Sequence, residues 1–276
     1  SGADGAAQDQ DPGDHRETAQ DPHSQSHLSH HLGDPVQHLP DPDHRHVREG
    51  ADQPVLDPLL PSLRKLGRRQ AEVVGEYFRD CGIRLDAAYS GDLLRQQDTA
   101  RLALAAQPAT VPQHVDARFN EIDNDAQIQL LTPLVIERDP AIKALVDKGL
   151  ASSKDYQKVI AAVFNYWVSP ECDEPRLQSW ADYSAGVVQA LHELMQAQGA
   201  GKTVAIFTLG GTLATLVAHV LGFGGDKTYQ FYEPVFNCSV TQLFYSGSRV
   251  SMSYFNDCSF LRVMGQARGE ELVSYR

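Results

Sequence analysis

Between Ser1 and Pro61 this chain has no phenylalanine, tyrosine or tryptophan, and only three residues that are Lys or Arg. The same stretch holds twelve Asp or Glu, a balance of −9 out of the −12 carried by all 276 residues. It also holds eight of the eleven His and eight of the fifteen Pro. A segment so poor in apolar side chains cannot bury enough surface to offset the entropy of ordering. Residues 1–61 therefore read as a disordered acidic, His/Pro-rich tail, and 62–276 as one domain of a size that supports a single core.

Cysteine is scarce too. Cys81, Cys172, Cys238 and Cys258 show no paired spacing, and the polar N-terminus has no apolar signal core. That excludes a disulfide scaffold and leads to the expectation of a reduced, cytoplasmic protein. No basic patch is present, which argues against nucleic acid as a partner. Thr203 to Gly225 is the one long stretch without charge, enough to span a bilayer. Gly210-Gly211 divides it into a β-rich half and a helical half, so a buried strand followed by a buried helix is expected, not a membrane span.

The pattern from Leu66 to Leu104 reads as helix, short strand, loop, helix. Leu66, Val73, Val74, Tyr77 and Phe78 recur at helical spacing, opposite Arg68, Arg69, Glu72, Glu76 and Arg79. Cys81-Gly82 stops that helix. Asp86 to Ser90 is strand-sized, and Asp92 is positioned to cap the next helix with its carboxylate. Arg95 then falls on the first turn after a strand, beside free N–H groups and the positive end of the helix dipole. A guanidinium there suits an oxyanion such as phosphate.

Two motifs stand out in this block. They are Gly67-Arg68-Arg69-Gln70-Ala71 and Ser90-Gly91-Asp92-Leu93-Leu94-Arg95-Gln96-Gln97-Asp98-Thr99-Ala100. Together they resemble the histidine phosphatase (phosphoglycerate mutase-like) superfamily, whose members carry a G-x-x-Q-A helix and then an S-x-L-x-R-x-x-x-T-A segment. The resemblance runs from Gly67 to about Leu261. It implies an α/β fold, a three-layer αβα sandwich with a mostly parallel sheet, its site at the carboxyl ends of the strands. It also implies phosphomonoester chemistry. A His attacks phosphorus, two Arg and a second His hold the phosphoryl oxygens, and an acid protonates the leaving group, without metal or cofactor. The implied ligand is a phosphorylated small molecule or phosphate, and a homodimer is compatible with the family.

Residue by residue, the resemblance is uneven. Arg95 matches a phosphate-binding Arg. Asn120-Glu121-Ile122-Asp123 resembles the segment that brings the acid, with Glu121 the proton donor; a solvated loop carboxylate is the alternative. Thr208-Leu209-Gly210-Gly211-Thr212 resembles the Thr/Ser-His-Gly-Gly segment, with Leu209 in the place of the second His. There the backbone of Leu209, Gly210 and Gly211 remains as a phosphate cradle. Counting back from Gly67 to the expected Arg-His-Gly motif lands on Arg48-Glu49-Gly50, with Glu49 where the nucleophile should stand. An anion there repels a phosphate dianion by about 4 kcal/mol at 4 Å and an effective dielectric near 20. The preceding Pro42 to His46 makes no buried strand, and the tail's surplus of His, Pro, Asp, Gln and Arg also fits a shifted reading frame of a GC-rich gene.

The expected function is thus a phosphatase relative with impaired or absent catalysis. The alternatives are a non-catalytic phosphate- or partner-binding pseudophosphatase, or metal binding through the tail. His23, His27, His30 and His31 would align on one helix face, a spacing that can hold Zn, Ni or Cu, but Pro22 and Pro35 flank the tract. Further on, residues 127–176 read as a mostly helical excursion over the site, its Tyr156, Phe164, Tyr166 and Trp167 packing its own core. Leu177 to Gln198 reads as an amphipathic helix, and Phe236 to Tyr245 with Arg249 to Asp257 as a hairpin.

Overall fold

The computed structural model describes residues 65–275, which lie within one compact unit, Leu56–Arg276. Arg48, Glu49, Gly50 and the tail histidines fall outside the described residues.

Helix α1 spans Lys65–Asp80 and ends where Gly82 takes a left-handed φ of 70°, a conformation that favours glycine. Its buried stripe is Val73, Val74 and Phe78, while Tyr77 is half-buried and stacks on Phe260 with centroids 4.3 Å apart. Leu66, expected in that stripe, is 41% exposed because the helix begins only one residue earlier. Gly75 lets α1 approach the Ala103 backbone of α2, Leu94–Leu104, so closely that a Cβ would clash.

Strands β1 (Ala87–Ser90), β2 (Gln113–Val115) and β3 (Val204–Phe207) form a parallel sheet in the order β2-β1-β3. Tyr89 pairs with His114 on one side and Ile206 on the other. Because side chains alternate between faces, Tyr89, Val204 and Ile206 meet one core and Ala88 and Phe207 another. Helices α6 (Trp180–Gln198) and α7 (Gly210–Leu221) contribute to the first, with Val187, Leu191, Ala214 and Leu216 buried. On the second face, α1 and α2 lie with α9, Ser259–Arg268. This is the expected three-layer sandwich.

The excursion is helical, as its pattern suggested: α3 (Asn124–Arg138), α4 (Pro140–Asp147) and α5 (Ser153–Trp167) precede α6. Phe164 and Trp167 are buried, but Tyr156 is 44% exposed and does not pack in that core. Helix α8, Gly225–Tyr232, packs Tyr229 and Tyr232 against Phe164. Strands β4 (Val240–Ser246) and β5 (Arg249–Asp257) pair antiparallel as a separate two-stranded sheet. Among the described residues, no helix is long and apolar enough to cross a membrane, and Thr203 to Gly225 divides into β3 and α7.

The G-x-x-Q-A motif turns out to be a clamp inside the core. Gln70 is 1% exposed and donates from Nε2 to the Leu272 carbonyl at 2.8 Å and to Ser274 Oγ at 2.9 Å. Beside it, Arg69 Nε donates to Glu270 at 3.0 Å. The polar groups of this motif tie α1 to the last segment of the chain.

Candidate active site

Ser90 pairs with Val115 and with Phe207, so β1, β2 and β3 end together at one edge. Three connections leave that edge. One is the 91–93 turn into α2. The second is the loop Phe119–Glu121, reached through a short 3-10 turn at Ala117–Phe119. The third is Thr208–Leu209, leading into α7. They are laced together through the middle one.

The Phe119 carbonyl accepts two hydrogen bonds, from Gln96 Nε2 and from Thr208 Oγ1, both at 2.7 Å. The Asn120 carbonyl accepts from Thr212 Oγ1 at 2.6 Å and from the Tyr183 hydroxyl at 3.3 Å. Since the single hydroxyl hydrogen of Thr212 goes to Asn120, the one hydrogen of Tyr183 is shared between Thr212 Oγ1 at 2.9 Å and the more distant Asn120 carbonyl. Burial holds the Tyr183 phenol far above the usual tyrosine range, and the nearby charge of Glu121 adds to this against the Thr212 hydrogen bond. Tyr183 therefore stays a neutral donor, fixing the loop from α6.

The side chain of Asn120 reaches toward α2. Its Nδ2 donates to Asp92 Oδ1 at 2.7 Å, and its Oδ1 accepts from the Asp92 amide at 2.9 Å. This corrects the expected role of Asp92 as an N-cap. The capping position falls to Leu93, which makes no side-chain cap; its carbonyl accepts from the Gln96 amide at 2.9 Å, and no side chain caps the Leu94 and Arg95 amides. Gly91 is required by the same contact, because a Cβ would strike Asn120 Oδ1 and Gln96 Oε1. Gln96 is 2% exposed and its Oε1 has no partner among the described residues. Arg95 lies on the first turn of α2, exposed, and its guanidinium forms no ion pair among the described residues.

Glu121 is half-buried and meets α7 directly. Its Oε1 accepts from the Gly211 amide at 2.9 Å and from the Ile122 amide at 3.0 Å. A side chain on Gly211 would collide with that carboxylate and with Ile122. Like α2, α7 begins without a side-chain cap, on the extended backbone of half-buried Leu209. Leu209, Gly210 and Gly211 thus stand at a helix N-terminus as expected, but the Gly211 amide is already engaged by Glu121. The sheet brings Arg95, Glu121 and the Leu209–Gly211 backbone to one edge.

A cavity of about 360 Å³ opens beside Glu121, lined by Arg118, Ile122, Gln127, Trp167 and Tyr183 among others. Arg118 is neutralised there by Asp116 at 2.7 Å and Glu193 at 2.6 Å. The larger cavity, about 640 Å³ between α3, α4 and α5, contains none of these residues. No cluster of three or more metal-ligating side chains occurs among the described residues. The residues that sequence reasoning missed are Tyr183, Gln96, Thr208 and Thr212. Tyr183 was legible only as part of an apolar helix stripe, and its hydroxyl gains a role only when α6 and α7 are packed together.

Residues 56–152 and 146–258 match the Histidine phosphatase superfamily (branch 1). Among solved structures, the fold is similar to Bacillus stearothermophilus YhfR with a TM-score of 0.53 at 20% identity, covering 72% of this chain and 86% of that one. A mutant phosphoserine phosphatase from Entamoeba histolytica, in complex with phosphoserine, gives 0.50 at 19% identity, with 72% and 86% covered. The Entamoeba histolytica phosphoserine phosphatase in complex with 3-phosphoglyceric acid gives 0.50 at 18%, with the same coverage. No curated protein matches the chain in sequence. At such identities the structural likeness speaks for the fold alone, whereas the sequence match takes in the start of α2 with Arg95, the loop with Glu121 and the start of α7. On that match, which spans well over half its length, the chain belongs to the Histidine phosphatase superfamily.

Proposed function

We propose that this chain binds the phosphoryl group of a phosphomonoester at the shared edge of β1 and β3, and that it turns such esters over poorly or not at all. Arg95 supplies the charge, the Leu94 and Arg95 amides of α2 and the Gly210 amide of α7 supply neutral donors, and Glu121 stands as proton donor to the leaving oxygen. Arg48 and Glu49 take the positions that the resemblance gives to a second Arg and to the nucleophilic His. Leu209 takes that of the second His. Neither Glu49 nor Leu209 can form a phosphohistidine, and Leu209 can neither donate a hydrogen bond nor carry charge. The reading is thus of a phosphate-binding relative of phosphatases, without metal or cofactor, in the cytoplasm where four free cysteines are stable.

The observation that carries the proposal is the double tie of the Phe119–Glu121 loop, to α2 through Asp92 and to α7 through Gly211. It holds the acid, the guanidinium helix and the glycine helix in one construction. Calorimetric titration with inorganic phosphate tests it, alongside turnover of p-nitrophenyl phosphate at neutral pH without metal. Saturable phosphate binding is expected, weakened about tenfold to hundredfold in Arg95→Ala, the scale of a lost charge-assisted hydrogen bond. Hydrolysis is expected to stay near the buffer rate. Unchanged binding in Arg95→Ala overturns the pocket; a phosphorylated protein trapped by rapid quenching overturns the loss of catalysis.

A further inference from the structure

Gln127 stands on the first turn of α3 and is only 3% exposed, yet neither its side-chain carbonyl nor its amide hydrogen-bonds to any described residue. Buried carboxamides are normally paired, and the other two in this core, Gln70 and Gln96, each donate to a backbone carbonyl. What Gln127 lines instead is the cavity of about 360 Å³ beside Glu121.

The rest of that lining offers contact surface but little polarity. Trp167 donates its indole N–H to the Gln178 carbonyl at 2.9 Å, and Tyr183 gives its hydroxyl hydrogen to Thr212 and Asn120. Both are left to present ring surface, beside Leu177 and Val187. The charged groups of the wall are compensated within the protein. Arg118 is held by Asp116 and Glu193, Asp123 accepts from the Ala126 amide, and Glu121 accepts from the Gly211 and Ile122 amides. A carboxylate entering here would shed its water and meet no uncommitted cation among the described lining residues. An uncharged group sheds far less, and one hydrogen-bonding atom on it finds Gln127. The volume lies near the lower end for small-molecule sites, roughly 300–1,000 Å³, which is room for one or two rings.

We infer that this cavity takes the alcohol part of the phosphomonoester, that this alcohol is uncharged and largely apolar, and that Gln127 selects it through a hydrogen bond to a carboxamide, carbonyl or hydroxyl. The placement rests on the phosphate site proposed at Arg95 and Glu121, because a group that protonates the leaving oxygen touches the first atoms of the alcohol. Phosphorylated carboxylic acids are refused, since their second anion has no partner in the cavity.

Two esters of nearly equal shape test this on the full chain: para-carbamoylphenyl phosphate and para-carboxyphenyl phosphate. By calorimetry the first should bind at least about tenfold tighter than the second, and tighter than inorganic phosphate. Gln127→Leu should weaken the carbamoyl ester about tenfold and leave inorganic phosphate unchanged. It removes no hydrogen bond within the described protein, so the melting temperature of the free protein should hold or rise. Para-hydroxybenzamide, which carries no phosphate, should bind to the parent chain on the order of millimolar and not measurably to the variant. Equal affinity for the two esters, or a carbamoyl ester bound as well by the variant, overturns the inference. So does a melting temperature lowered by several degrees, which would make Gln127 a structural group. The two readings fail separately. Phosphate binding without any gain from the carbamoylphenyl group removes the cavity's role and leaves the phosphate site standing. Binding of para-hydroxybenzamide through Gln127 without binding of phosphate overturns the link to a phosphoester.

Discussion

Single residues at this site are fixed by contacts that admit little change. Gly211→Ala puts a methyl group against Glu121 and Ile122, and should cost about 1–3 kcal/mol of stability as an overpacked position, read by urea unfolding. Phosphate affinity should fall with it as the 119–121 loop is displaced. Leu209→His restores an imidazole at the start of α7. It should raise phosphate affinity about tenfold at pH 6, where imidazolium is populated, and less at pH 8, where it is neutral. Equal gains at both pH values would show that charge is not what position 209 lacks. Thr132 offers an opposite case, with a buried Oγ1 unpartnered among the described residues. Thr132→Val removes that unsatisfied oxygen at nearly constant shape and should raise the melting temperature by a few degrees.

At the level of elements, the 119–121 loop depends on its neighbour. Arg118 holds Asp116 and Glu193 at once, and its hydrogen bonds keep both carboxyls below the usual carboxylate range. Lowered folded-state values mean that the clamp stabilises fully above about pH 4, the unfolded range, and fades as pH falls through the lowered values. The effect is small, because these side chains are partly solvated. Arg118→Met should therefore lower the unfolding midpoint slightly at pH 7, leave it unchanged well below pH 4, and so flatten its dependence on pH between the two. Elements themselves were largely legible: the periodicity of α1 and α6, the β-rich half before Gly210 and the turn at Gly247 all appear as the sequence pattern implies. What the pattern could not show was who satisfies whom. Asp92 has the chemistry of a cap, and only the fold supplies Asn120, 28 residues later, as the stronger partner. Likewise Glu121 and Gly211 are 90 residues apart, and neither residue alone announces their bond.

Across the whole molecule, the α1 clamp spans nearly the entire described chain. The Gln70 amide and the Leu272 carbonyl are 202 positions apart, and both are buried. During synthesis α1 leaves the ribosome long before its Leu272 partner exists. A nascent chain stopped short of Leu272 would hold a core glutamine with nothing to donate to. Productive folding of α1 must then wait until Leu272 has been made, a delay set by contact separation. Stalled chains ending before Leu272 should stay protease-sensitive around α1, and chains extended through Ser274 should close it once released.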